Sequence, residues 1–180
     1  MKRLLPCLLC LTLLLAGCAD AARERMESFA GDLAARQELD LTAELRAEYE
    51  DRSLAFTLCC READGCCTVM VLAPDMLKGV RARMNAGDDQ LIYGDVTLDT
   101  GPLDRSGLSP LSALPTLLRA VREGHLDSTW TEGDRSVGEW ILDDGLSVRV
   151  WVESTSLTPT HAELISDGRV TVFLDITDWR

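Results

Sequence analysis

The feature that most constrains this chain is a strict alternation of apolar and polar residues that begins at Leu41. Leu41, Ala43, Leu45, Ala47 and Tyr49 alternate with Thr42, Glu44, Arg46 and Glu48. Successive side chains of a strand point to opposite faces, so this run predicts a strand with one face buried and the other wet. Leu54, Phe56, Leu58 and Cys60 repeat the pattern, as do Cys67, Val69, Val71 and Ala73. Near the C-terminus, Leu146, Val148, Val150 and Val152, then Val170, Val172, Leu174 and Ile176, mark one face of two further strands. Between these lie shorter candidates at 79–85, 90–93 and 95–99, and two segments, LDSTWTE and SVGEWIL, that flank a Gly-Asp turn.

Two stretches change the period. Met26, Phe29, Ala30 and Leu33 fall at helical spacing and predict a leading helix. The segment 108–124, LSPLSALPTLLRAVREG, predicts a helical insertion with Ser109 as N-cap, Pro110 at the first helical position and Gly124 at the C-terminal end. Pro115 is expected to split it into two short pieces, the second carrying the stripe Leu114, Leu117, Leu118 and Val121. About ten strands with one leading helix and one insertion define the expected class. It is mainly β with helices (α+β), a single curved antiparallel sheet forming a half-open barrel capped by short helices.

The N-terminus sets the expected compartment. Lys2 and Arg3 precede an apolar run from Leu4 to Leu15, too short to span a membrane and suited to a secretory signal. It ends in LAGC, Leu15 to Cys18, which resembles a bacterial lipobox: cleavage before Cys18 and a diacylglyceryl group, with palmitate-type chains, on its thiol. The expected organisation is a signal peptide at 1–17, a lipid-anchored tether at 18–22 and one domain at 23–180. Two acyl chains, at about 0.8 kcal/mol per buried methylene, hold a protein firmly. The 18 basic and 30 acidic residues of the chain give a net charge of -12. That charge argues against nucleic acid and against adsorption to anionic lipid, so the membrane partner is reached through the anchor.

The stretch CCREADGCC, 59–67, holds four of the seven cysteines. Its Asp-Gly is a hairpin turn signal, which puts the cysteines at a strand tip. Neighbours in a strand diverge, so Cys59 and Cys60 face opposite ways, as do Cys66 and Cys67, and four thiolates cannot converge on one zinc from regular strands. The register favoured by the apolar face sets Cys60 opposite Cys67, with Leu58 opposite Val69, and predicts a Cys60–Cys67 disulfide in an oxidising compartment. A slip by two would set Cys59 opposite Cys66. Reduced thiols and a metal or redox role remain as alternatives.

No G-x-S-x-G, H-E-x-x-H or glycine-rich phosphate loop is present, and His125 and His161 are isolated in sequence. The expectation is therefore no enzyme, no metal and no cofactor. Among the aromatics, Trp151 lies on the Arg149 and Glu153 face of its strand, and Phe173 on the Thr171 and Asp175 face. Two large aromatics on polar faces either cover the leading helix or form a partner-binding patch.

The lipobox, the leading helix, the long run of strands broken by a Pro- and Leu-rich helix, and the final AELISDGRVTVFLDIT resemble the LolA/LolB-like lipoproteins. APDMLKGV and the helical insertion look most like small lipoproteins of Gram-positive spore formers on this fold, some tied to sporulation or germination. The resemblance implies a concave apolar hollow that receives acyl chains or a protein segment. Its lining would be Leu45, Phe56, Leu58, Val71, Val148, Val150, Val172 and Leu174, with Leu114, Leu117 and Leu118 as a lid; the same residues serve equally as filled core. Two functions follow from these readings. One is an anchored module outside the cytoplasm that binds a cell-envelope protein; the other is a carrier of lipid or lipoprotein acyl chains.

Overall fold

The alternating segments all become strands of one sheet. The computed structural model describes residues 21–85, 88–101, 109–143 and 145–180. The lipobox and Cys18 lie outside the described residues. A helix, α1 (21–35), leads into β1 (Glu38–Glu48), β2 (Ser53–Ala63) and β3 (Cys66–Ala73). After a short 3-10 turn come β4 (Arg81–Met84), β5 (Gln90–Tyr93), β6 (Val96–Asp99) and the helix α2 (Pro110–Glu123). The chain ends in β7 (His125–Glu132), β8 (Arg135–Asp143), β9 (Leu146–Glu153), β10 (Pro159–Ser166) and β11 (Arg169–Trp179).

The order across the sheet is β6-β5-β4-β3-β2-β1-β11-β10-β9-β8-β7, and every pairing in it is antiparallel. The first and last strands meet in the middle, where Leu45 sits opposite Leu174. From there the chain works outward by hairpins to one edge at β6, crosses through α2 to the other edge at β7, and works back. The sheet does not close, and curls into the half-open barrel expected from sequence. The connection between the two rims carries α2, and its apolar stripe packs on the concave side of the sheet. The α2 stripe is buried there, and so are Met26, Phe29 and Leu33 of α1. Phe29 packs on Trp140 and Trp179, with ring centroids 6.5 and 6.0 Å apart. Ala22 is also fully buried and helical, so packing already includes a residue assigned above to the tether.

Three local expectations change. The β2–β3 register is not Cys60 opposite Cys67: Cys60 faces Val69, Leu58 faces Val71 and Glu62 faces Cys67. The hairpin closes through two residues only, Asp64 and Gly65, with φ of 53° and 73°. Two positive-φ residues make the turn whose twist matches that of the strands, and it adds two cross-strand pairs to the ladder. Because the shift is by two, the same side chains remain in the core. Second, α2 is one helix running through Pro115. Pro115 forfeits a single N–H bond near the helix start, and the burial of Leu114, Leu117 and Leu118 around it outweighs that loss.

Third, Gly124 ends α2 without a left-handed turn, its φ being -72°. A Cβ there would stand 2.4 Å from the Ala120 carbonyl oxygen and 3.0 Å from that of Ile141, so close approach is what requires glycine. Ser109 precedes the helix in extended conformation, but its hydroxyl does not cap it. Instead the N–H and hydroxyl of Ser112 donate to the Ser109 carbonyl at 3.1 and 3.0 Å.

Candidate binding site

The centre of the concave face is filled by side chains. Of the eight residues expected to line a hollow, Leu45, Leu58, Val71, Val148, Val150, Val172 and Leu174 are each 2% exposed or less, and only Phe56 is half-buried. A side chain with no accessible surface borders no void that admits a water molecule. The lid residues Leu114, Leu117 and Leu118 lie in the same cluster, against Met26, Phe29 and Leu33 of α1. The structure thus brings hollow and lid residues together as one core.

Along one side of α2, from Ser112 to Glu123, a cleft of about 260 Å3 opens between the helix, Cys67, Met84 and the Arg122–Glu62 ion pair. That ion pair is tight, 2.6 Å from Nη1 to Oε1, and leaves Glu62 Oε2 buried without a hydrogen-bond partner among the described residues. The cleft mixes apolar side chains, Met84 and Leu118 among them, with charged ones, and its volume falls below the roughly 300–1,000 Å3 typical of small-molecule sites.

The cysteines divide between faces, as strand parity requires. Cys60 and Cys67 share the core side, diagonal to each other across β2 and β3, with their Sγ atoms 2.8 Å apart. The Cys60 thiol is pushed well above its ordinary value by its hydrogen bond to Cys67 and then by burial. On the outer side, Cys59 faces Met70, and the Arg83 Nε–H donates to Cys66 Sγ at 3.4 Å. Burial raises the Cys59 thiol as well.

The outer face carries two rows of cross-strand partners. One runs Trp130, Val137, Trp151, His161, Asp175, Glu44 from β7 to β1. The other runs Ser128, Glu139, Arg149, Glu163, Phe173, Arg46 across the same strands. The indole N–H groups of Trp130 and Trp151 both donate to Glu132, at 2.7 and 2.8 Å, and hold its carboxyl below the usual range, Trp151 contributing more. Arg149 bridges Glu139 and Glu163 at 3.0 Å each and lies over both indole rings. His161 meets Trp151 edge-on and pairs with Asp175 through Nδ1 at 2.7 Å, while Arg46 stacks on Phe173 at 4.1 Å.

The expected patch residues therefore sit in adjacent rows of one network. Trp151 is only 8% exposed beneath its neighbours, and Phe173 is half-buried under Arg46. Neither covers α1, which packs on the opposite side of the sheet. Sequence reading missed Trp130, Arg149, Glu132 and His161 as members of this network. Only the register across six strands brings them together, since Trp130 and Asp175 are far apart in the chain.

Fold and packing together define a class: an α+β half-open barrel with a filled interior and a tied outer face. The fold is an open, curved antiparallel sheet with helices packed on its concave side. No protein-family model matches the sequence, and no curated protein does. Among solved structures, a DUF1329 family protein from Desulfovibrio piger is similar at a TM-score of 0.52 and 11% identity, over 91% of this chain and 92% of its own. An uncharacterized conserved protein from Thermus thermophilus is similar at a TM-score of 0.50 and 8% identity, over 88% of this chain and 84% of its own. A LolA superfamily protein from Nitrosomonas europaea aligns at a TM-score of 0.44 and 13% identity, over 87% of this chain and 92% of its own. These are likenesses of fold alone.

Proposed function

We propose that this chain is a lipoprotein anchored outside the cytoplasm, and that its half-barrel is a non-enzymatic module for binding a protein of the cell envelope. The observation that carries this reading is the filled concave face. Accepting an acyl chain would require α2 to leave the sheet and expose Leu114, Leu117 and Leu118, which are among the best buried side chains of the described residues. At about 1.5–3 kcal/mol for each such side chain, that opening is expensive unless a ligand replaces every contact. A protein partner asks for no such rearrangement, since it needs only a preformed outer surface or sheet edge. The tether suits the same role, because a fixed receptor or scaffold stays at its membrane whereas a shuttling carrier must leave it. The spore-former resemblance makes the envelope of such a cell the proposed setting.

Native mass spectrometry of the purified full chain, with extraction of bound lipid, tests this. Apart from the covalent anchor, no stoichiometric lipid is expected to co-purify. A lipid bound one to one and lost on Leu117→Glu would establish the carrier reading instead.

A further inference from the structure

Among the described residues, one rim of the sheet is bare. All four residues of β6 are exposed, and the one described strand it pairs with is β5. Register places Leu91 opposite Leu98 and Tyr93 opposite Val96, and continues through Ala82 to Val69 of the core. These four side chains therefore extend the concave apolar face beyond the reach of α2. Tyr93 and Val96 are each 58% exposed and Leu98 is 55% exposed. An apolar row of this kind on an outermost strand is a template for another strand, and proteins normally cover or charge it.

The backbone is poised in the same way. Gly94, at φ 58°, and Asp95 form a two-residue hairpin between β5 and β6. Residues flanking such a turn exchange hydrogen bonds, so along β6 the N–H and C=O of Thr97 and Asp99 turn away from β5 toward the open edge. At the opposite rim, by contrast, the Arg23 guanidinium of α1 already donates to the Leu126 carbonyl of β7, at 3.5 Å.

Charge decides what fits. On the other face of the hairpin, Asp99 accepts from Gln90 Nε2 at 2.9 Å at the far end of β6, and Asp95 lies in the turn at its start. A second copy pairing antiparallel about Thr97 would match Val96 with Leu98 on the apolar face. The same register would set Asp95 against Asp99 twice, and directly opposed like charges destabilise a strand pair. In a chain of net charge -12 the mismatch is reinforced. A strand that presents apolar side chains to Val96 and Leu98, and Lys or Arg to the aspartates, satisfies both faces.

We propose that β6 is a docking edge for an extended segment of a partner protein in which apolar and basic residues alternate, added to the sheet as one further antiparallel strand. Backbone bonds to Thr97 and Asp99 supply register, the apolar row supplies affinity, and Asp95 and Asp99 disfavour the self-pairing centred on Thr97. The inference rests on the protein-binding reading above.

The test uses the full chain in neutral detergent and a fluorescently labelled peptide, Lys-Val-Lys-Val-Lys-Val-Lys, followed by anisotropy. Saturable binding is expected, weakened at least tenfold by Thr97→Pro, which removes an edge donor, and by Leu98→Lys, which changes only an exposed side chain. The same peptide with Glu for Lys should bind at least tenfold more weakly. Unchanged binding in both variants, or no binding at all, overturns the β6 assignment. So does a wild-type dimer at neutral pH by light scattering that Thr97→Pro converts to monomer. Failure of the underlying reading shows separately, as stoichiometric extractable lipid in the same preparation.

Discussion

Glu132 receives both indole N–H groups of Trp130 and Trp151, so one exposed carboxylate organises the aromatic end of the outer face. Its carboxyl lies below the ordinary value of 4.5, held there by Trp151 first and Trp130 second. A group with a depressed folded pKa stabilises the fold above its unfolded pKa and loses that contribution as pH falls through the folded one. Glu132→Gln should therefore flatten the acid limb of melting temperature against pH below about pH 4.5. Superimposable acid limbs would remove Glu132 from this role. The cysteines allow a second expectation. With Cys60 and Cys67 Sγ atoms 2.8 Å apart, we propose the Cys60–Cys67 bridge as the oxidised form. Peptide mapping under non-reducing conditions should find that pair, with Cys59 and Cys66 still open to alkylation. A Cys59–Cys66 bridge would contradict it. The face shared by Cys60 and Cys67 was legible from strand parity. Their diagonal placement was not, because the turn length depended on Asp64 accepting a positive φ.

At the scale of elements, α2 is the piece on which the two readings of function diverge. Its stripe was visible in the spacing of Leu114, Leu117, Leu118 and Val121; whether that stripe forms a movable lid or a plug was not. The buried state of Leu117 predicts that Leu117→Ala costs about 2–5 kcal/mol, as large-to-small core changes do. Urea denaturation should show this as a lowered midpoint. A change below about 0.5 kcal/mol, the scale of neutral surface substitutions, would mean that α2 does not pack as described. Pro115 illustrates how tertiary contact overrides local preference: the residue that should break the helix lies between Leu114 and Thr116, both buried. Strand existence was similarly legible, while the short β4 to β6 began and ended within a few residues of expectation. Four-residue strands carry too little alternation to mark their own ends.

For the whole molecule, the order of strands sets both shape and exposure. Pairing β1 with β11 joins the two halves at the centre, and it leaves β6 and β7 as the two rims. The proposed function requires a module that acts where an anchor holds it, so attachment belongs to the same scale. Cys18→Ser should abolish incorporation of labelled palmitate and move the chain from the membrane fraction to the soluble one. Retained label would refute the lipobox assignment. The period-two alternation was enough by itself to establish a curved antiparallel sheet with one apolar face, because side-chain parity is a local property of every strand. The helical stripes, the turn chemistry and the acidic balance were local in the same sense. Only the tertiary structure decided that the apolar face is filled rather than hollow, that Trp151 lies beneath Arg149 and His161, and that Tyr93, Val96 and Leu98 remain uncovered. Each of those facts depends on which distant segments meet, and hydrophobic pattern records that a face seeks burial without recording what buries it.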